Sequence, residues 1–325
     1  MESEILKQDM QLVKNLVGEI TKSIQKVIVG KSETIELLLI SMICHGHILL
    51  EDVPGIGKTT LAKSLAQSLG STFSRIQCTP DLMPNDVLGF NFFNQKDSSF
   101  EFRPGPIFNQ IVLVDEINRA TPRTQSALLE SMQEFQVTID GTTQQLPNPF
   151  TIIATQNPIE MEGTFPLPEA QLDRFIMRLS LGYPTKEEEN ELFTRSDNND
   201  LSEVITPITD SQKIIALQKI HKSVKVTKEI KNYIIKIISA TRNEEDIVLG
   251  ASPRASLDLY KACQAKAAVN ARDFVIPDDV KGLAPHILTH RVGISLNAQI
   301  KERTSNQIIN KILDSIEIPI TTDYE

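Results

Sequence analysis

Five residues have the types and spacing to handle a phosphorylated substrate: Lys58, Thr59, Asp115, Glu116 and Asn157. Lys58 and Thr59 belong to the stretch Pro54-Gly55-Ile56-Gly57-Lys58-Thr59-Thr60. A glycine-rich loop ending in Lys-Thr at a helix start aims backbone N–H groups at anionic oxygens. In that frame Lys58 reaches β- and γ-phosphates, and the Thr59 hydroxyl holds Mg²⁺. The strict pattern G-x-x-x-x-G-K-[ST] puts glycine at position 52, where this chain has Asp52. Alone, the segment also fits an ordinary strand–turn–helix corner with a surface lysine. Asp115 would hold Mg²⁺ directly or through water, and Glu116 would orient and polarise an attacking water. Asn157 would fix that water or sense the γ-phosphate. The alternative for Asp115-Glu116 is a solvated loop after a strand, and Lys58-Thr59 upstream argues against it.

The elements that must carry these residues are legible around them. Ile48-Leu49-Leu50, Ile111-Val112-Leu113-Val114 and Thr151-Ile152-Ile153-Ala154-Thr155 are apolar runs that end just before the polar residues. Such runs suit strands buried on both faces of a parallel sheet, and ligands bind beyond the carboxyl ends of such strands. Leu61, Leu65 and Leu69 predict a helix that Gly70 closes. Over residues 1–28, Leu12, Leu16, Ile20, Ile24 and Val27 predict an amphipathic helix. Val29-Gly30-Lys31 breaks it, and Ser32 caps a second helix through Ile43.

Phe90, Phe92 and Phe93 face Phe100 and Phe102 across Gln95-Lys96-Asp97-Ser98, which predicts a hairpin. Thr121-Pro122 starts a helix, and Asp140-Gly141 centres a second hairpin from Gln136 to Leu146. Gly182-Tyr183-Pro184 reads as a domain boundary, followed by an acidic, polar stretch (Lys186–Asp200). Helices follow at Lys228–Arg242, from Ser252-Pro253 to about Asn270, and from Pro277.

Composition sets the class. A chain of 325 residues, 40% hydrophobic and 23% charged, has room for two domains and a large core. The net charge of −9 argues against broad coating of nucleic acid or anionic membrane. Cys44, Cys78 and Cys263 are far apart and odd in number, as expected of reduced, buried thiols. No apolar run approaches the ~20 residues of a membrane span, and no signal peptide opens the chain, so a cytoplasmic location is expected.

Several residues invite a functional reading that their context does not support. His45 and His47 lack further metal ligands nearby, and His286 and His290 have helical pair spacing without an acid between them. Both pairs are expected to be structural. Six of the thirteen Phe lie between Phe90 and Phe108, more clustering than core packing demands, and the plain reading is that they hold that segment together. Arg119 could reach a neighbour's nucleotide or form a surface ion pair.

Gly55-Ile56-Gly57-Lys58-Thr59 resembles the Walker A motif of AAA+ ATPases, and Val114-Asp115-Glu116-Ile117-Asn118-Arg119-Ala120 resembles their Walker B. The resemblance continues through Gln125–Glu130, Ala154–Pro158, Gly163–Phe175 and Gly250–Ala255. Together these segments resemble the MoxR family, in the AAA+ branch with a helix-2 insert and a pre-sensor-1 hairpin. The resemblance implies an α/β fold: a three-layer αβα nucleotide domain with a parallel sheet over residues 1–183, then an all-α lid over 184–325. It places the insert at about 84–106 and the pre-sensor-1 hairpin at about 136–146, both toward a ring's axial pore. Asn157 matches sensor 1, Arg254 sensor 2 and Arg174 the arginine finger that reaches a neighbouring subunit. Val29-Gly30 matches the segment bordering the adenine.

The implied activity is Mg²⁺-dependent ATP hydrolysis in a homo-oligomer, a hexameric ring. The ring would act as a chaperone-like remodeller of a protein client, such as a von Willebrand factor A domain protein. The alternatives in the same branch are a nucleic-acid motor and a metal-chelatase ATPase subunit. The motor is disfavoured because residues 136–146 contain no Lys or Arg, and residues 88–103 only Lys96 and Arg103.

Overall fold

The computed structural model describes residues 2–158, 163–197 and 205–319. The end of the acidic stretch predicted over Lys186–Asp200 therefore lies outside the described residues. Its elements run α1 (Glu2–Gln25), α2 (Ser32–Ile43), β1 (Ile48–Glu51), α3 (Lys58–Ser68), β2 (Phe73–Gln77), α4 (Pro84–Leu88), β3 (Gly89–Asn94), β4 (Ser99–Pro104) and β5 (Ile111–Asp115). Next come α5 (Pro122–Glu134), β6 (Gln136–Ile139), β7 (Thr142–Gln145), β8 (Thr151–Gln156), α6 (Glu169–Leu172) and β9 (Met177–Leu179). The remainder is α7 (Lys186–Asp197), α8 (Ser211–Ile220), α9 (Lys228–Asn243), β10 (Ile247–Leu249), α10 (Pro253–Val269), α11 (Pro277–Leu288), β11 (Gly293–Ile294), α12 (Leu296–Ile300) and α13 (Ser305–Ser315).

Five strands form a parallel sheet in the order β2-β5-β8-β1-β9. The three apolar runs are its interior strands, β1, β5 and β8. Their alternate residues point to opposite faces, as the pleat requires. Ile48, Leu50, Ile111, Leu113 and Ile153 enter one core, and Leu49, Val112, Val114, Ile152 and Ala154 enter the other. Helices α1, α2, α3 and the lid helices cover the first face, and α5 covers the second, giving the three-layer arrangement. Edge strand β2 has one fully buried residue, Ile76, and β9 is three residues long. Neither was read from the sequence.

Two helix-level expectations are corrected. Helix α1 buries Met10, Val13, Val17, Ile20 and Ile24, while Leu12 is 63% exposed. The stripe is phased from Met10 and Val13, so Leu12 turns to solvent and Leu16 is only partly covered. Ser32 does not cap α2: it is the first helical residue, and its hydroxyl accepts from Gln25 Nε2 at 2.8 Å. The capping position belongs to Lys31, in the left-handed region at φ 57°.

Thr121 caps α5 by accepting from the Thr124 N–H, with Pro122 at the first position. Both hairpins form, β3–β4 with Phe93 opposite Phe100, and β6–β7 around Asp140 (φ 49°) and Gly141 (φ 79°). The two positive φ values match the right-handed twist of the flanking strands.

Beyond Gly182–Pro184 the described residues are mainly helical, with the short antiparallel pair β10–β11 and a single bridge between Lys225 and Phe274. Ser252 caps α10 as its Ser-Pro start predicts. The core under α9, α10 and α11 is not separate. Ile237, Leu259 and Ile287 share one buried cluster with Ile20, Leu38 and Ile48. No helix among the described residues is long and apolar enough to cross a membrane.

Candidate nucleotide site

Between β1 and α3 the chain turns through two left-handed glycines, Gly55 at φ 87° and Gly57 at φ 91°. A Cβ on Gly55 would meet nothing within 4 Å, so backbone conformation, not space, demands glycine there. Lys58 opens α3, and its ammonium folds back over the loop to donate to the Asp52 carbonyl at 2.7 Å. Phosphate oxygens entering the loop would offer that ammonium anionic acceptors in place of a neutral carbonyl.

The end of β5 faces this loop. Asp115 is buried, and its Oδ1 accepts from Thr155 Oγ1 at 2.5 Å. Its Oδ2 accepts from Arg75 Nε and Nη2 at 3.2 and 2.7 Å. Glu116 sits in the left-handed region at φ 55°, an uncommon conformation for a residue with a Cβ and one that clusters at functional sites. Its N–H donates to Thr155 Oγ1 at 2.9 Å, so one hydroxyl orients both acids. Its Oε2 accepts from Arg119 at 3.0 Å and from Gln77 Nε2 at 3.1 Å. Of the two readings of Arg119, the structure shows an ion pair, made with Glu116.

Lys58, Thr59, Asp115, Glu116 and Asn157 line one cavity of about 330 Å³, together with Pro54, Gly55, Gly57 and Thr60. Arg75 also lines it and was missed from sequence, as were Gln77 and the role of Thr155. Arg75 and Gln77 sit two residues apart on β2, so reading that edge strand would have put both on one side. Thr59 and Asp115 supply hydroxyl and carboxylate oxygens, a hard donor set that fits Mg²⁺.

An adjoining cavity of about 480 Å³ shares Pro54, Gly55, Gly57 and Thr60 and includes Ile56. Val27, Ile28, Val29 and Lys31 form one wall, and Leu181, Gly182, Tyr183 and Pro184 the other. Gly30 lies between two of the lining residues, and a Cβ there would overlap the Glu188 carboxylate, 1.9 Å away. This mostly apolar slot suits a flat heterocycle beside the phosphate loop. Asp52, the departure from the strict pattern, is buried next to it. Its carboxylate accepts from Ser180 Oγ at 2.6 Å, from the Leu181 N–H at 2.6 Å and from the Gly182 N–H at 3.2 Å.

Arg174 and Arg254 are not in either cavity. They line a third, of about 230 Å³, with Gly46, His47 and Met132, at the opposite end of β1. Four strand residues separate the two ends, about 13 Å. Arg174 donates to the Leu129 carbonyl at 2.5 Å. The two arginines share one mount. Asp173 accepts from Ser252 Oγ, the cap of the helix that carries Arg254, and faces buried Arg291 at 3.5 Å. Arg291 also pairs with Asp258 at 2.7 Å.

Two of the four histidines expected to be structural make buried structural contacts, His47 and His290. The Ile152 N–H donates to His47 Nδ1 at 3.0 Å, leaving Nε2 to donate to the Met132 carbonyl at 2.9 Å. Burial lowers its pKa to about 4, so the ring is neutral. His290 donates to the Phe175 carbonyl, and burial holds it neutral too. No cluster of three or more His, Cys, Asp or Glu placed to hold a metal ion occurs among the described residues. The three cysteines are free and buried, and burial first, then Asp115 and Glu116, pushes the Cys78 thiol up to about 12.

The sequence model of the ATPase family associated with various cellular activities (AAA) matches residues 47–177, and that of the AAA lid domain matches residues 239–312. YeaC of Bacillus subtilis, an uncharacterized protein, is 46% identical, covering 94% of this chain and 95% of its own. The chaperone MoxR1 of Mycobacterium tuberculosis is 40% identical over 91% of this chain and 80% of its own. A crystal structure of a proposed ATPase from Cytophaga hutchinsonii superposes with a TM-score of 0.91 at 40% identity, covering 98% of this chain and 100% of that one.

Proposed function

Because this chain belongs to the MoxR family of AAA+ ATPases, we propose that its cleft binds ATP with Mg²⁺ and hydrolyses it to ADP and phosphate. The observation that carries this is the meeting of Lys58, Thr59, Asp115, Glu116 and Asn157 in one cavity beyond the carboxyl ends of β1, β5 and β8. The loop N–H groups and Lys58 hold the β- and γ-phosphates, and the slot between Val29-Gly30 and Leu181–Pro184 takes the base. Thr59 and Asp115 hold Mg²⁺, which neutralises phosphate charge when bound. Glu116 polarises the attacking water once its carboxylate turns from Arg119 and Gln77, and Asn157 fixes that water.

Arg174 and Arg254 act on a neighbouring subunit's nucleotide, since the end of β1 that they occupy is remote from their own phosphate loop. That requires an oligomer, and a six-membered ring is the form that the family resemblance implies. A protein client fits the chaperone named among the relatives better than a nucleic acid does. A von Willebrand factor A domain protein is the client class that the resemblance implies. The test is ATP binding and turnover in two variants. Glu116→Gln should bind ATP normally and lose turnover by at least about 100-fold, because only the water loses its polarising group. Lys58→Ala should weaken binding itself. Normal turnover in Glu116→Gln would refute the assignment.

A further inference from the structure

We infer that Asp52 is a positioning residue that ties the phosphate loop to the wall of the base slot, so that its carboxylate sets the affinity for the nucleoside half of the nucleotide. This rests on the nucleotide reading above and adds a residue to it. Position 52 is where the strict loop pattern has glycine, yet Asp52 has no positive φ, so its backbone does not call for glycine. The side chain has a job of its own. It is 7% exposed, and its two oxygens accept from three uncharged donors in the segment Ser180–Gly182. No cation among the described residues pairs with it. Hydrogen bonds to a carboxylate are about twice as strong as neutral ones, so this is a firm clamp on three consecutive residues.

Two of those residues, Leu181 and Gly182, line the base slot. The Asp52 main chain meanwhile reads the phosphate side. Its carbonyl accepts from Lys58 Nζ at 2.7 Å, and its N–H donates to the Gln156 carbonyl at the tip of β8 at 3.2 Å. One residue thus joins the phosphate-binding lysine to the slot wall, with the carbonyl serving one half of the cleft and the carboxylate the other. The far end of the same wall is held from the residue just before α2, where Lys31 Nζ donates to the Tyr183 carbonyl at 3.1 Å. Removing the Asp52 carboxylate therefore frees the near end of the wall and leaves the loop contacts of Lys58 in place.

The experiment compares Mg–ADP with Mg–tripolyphosphate, which has phosphates and no base, on the full chain by calorimetry. In Asp52→Asn an amide N–H₂ replaces one acceptor oxygen and faces a donor. ADP affinity should fall about tenfold, the scale of one charged hydrogen bond, while tripolyphosphate affinity stays within about twofold. Ser180→Ala deletes one donor and leaves Asp52 intact. It should lower ADP affinity about threefold with the same selectivity, and it decides the matter if Asp52→Asn does not fold. Unchanged ADP affinity, or equal losses for both ligands, would overturn the inference. A wild-type chain that binds neither ligand would instead overturn the nucleotide reading.

Discussion

Thr155 shows how much a single hydroxyl can hold. It donates to Asp115 and accepts from the Glu116 N–H, so it orients together the acid proposed to hold the cation and the acid proposed to polarise water. Thr155→Val keeps the shape of a buried strand residue and leaves the Glu116 N–H without its partner. Turnover should fall about tenfold, with a smaller change in ATP affinity, because the lost bonds aim the acids and do not touch the phosphate loop. Steady-state kinetics alongside equilibrium ATP binding would check this, and equal losses in both would count against the role. The acids themselves were legible because each follows an apolar run, which marks a strand end. Arg75, Gln77 and the role of Thr155 were not. The first two ride an edge strand with a single buried residue, and a threonine inside a buried strand looks like any β-branched packing residue.

At the scale of elements, His47 is the joint where β1, α5 and β8 meet. Its ring accepts from Ile152 and donates to Met132 only while neutral at Nδ1. The folded pKa, about 4, lies below the ordinary 6.5, so below pH 6.5 the unfolded chain takes up a proton that the folded chain refuses. Stability from this group is therefore full above pH 6.5 and is lost as pH falls toward 4, on the order of 1–3 kcal/mol. Buried His221, lowered to about 4 by the same cause, acts in the same direction. Urea midpoints should drop between pH 7 and 5, with a shallower slope in His47→Gln, and parallel slopes would contradict the assignment. The hairpins bear on a different question. With no Lys or Arg from Gln136 to Leu146, β6–β7 cannot neutralise a phosphate track. ATP turnover at low salt should be indifferent to single- or double-stranded DNA, and a several-fold, salt-sensitive stimulation would revive the motor reading. Strands β1, β5 and β8 were readable because burial on both faces makes a continuous apolar run. Strands β2 and β9 lack that signature, and α1 was misphased because Leu12, an exposed leucine, counts as core in any periodicity.

At the scale of the whole molecule, the loop around Lys58 and the Arg174–Arg254 pair occupy opposite ends of β1, so on the proposed reading one chain would carry two half-sites. Mixing two inactive proteins, Arg174→Ala and Lys58→Ala, should restore part of the ATPase activity, because some interfaces then pair an intact loop with an intact arginine. Arg254→Ala mixed with Lys58→Ala should behave alike. Mixtures as dead as their components, in assemblies shown to exchange subunits, would argue that each arginine serves its own chain. The buried cluster that runs from Ile20 and Leu38 through Leu259 and Ile287 has a mechanical consequence. Prising the helices beyond Pro184 from the sheet would expose this shared core to water, at a cost that grows with the apolar area uncovered, so the two parts resist hinging. In an assembly of the kind proposed, motion on ATP turnover would then be taken up at the seams between subunits.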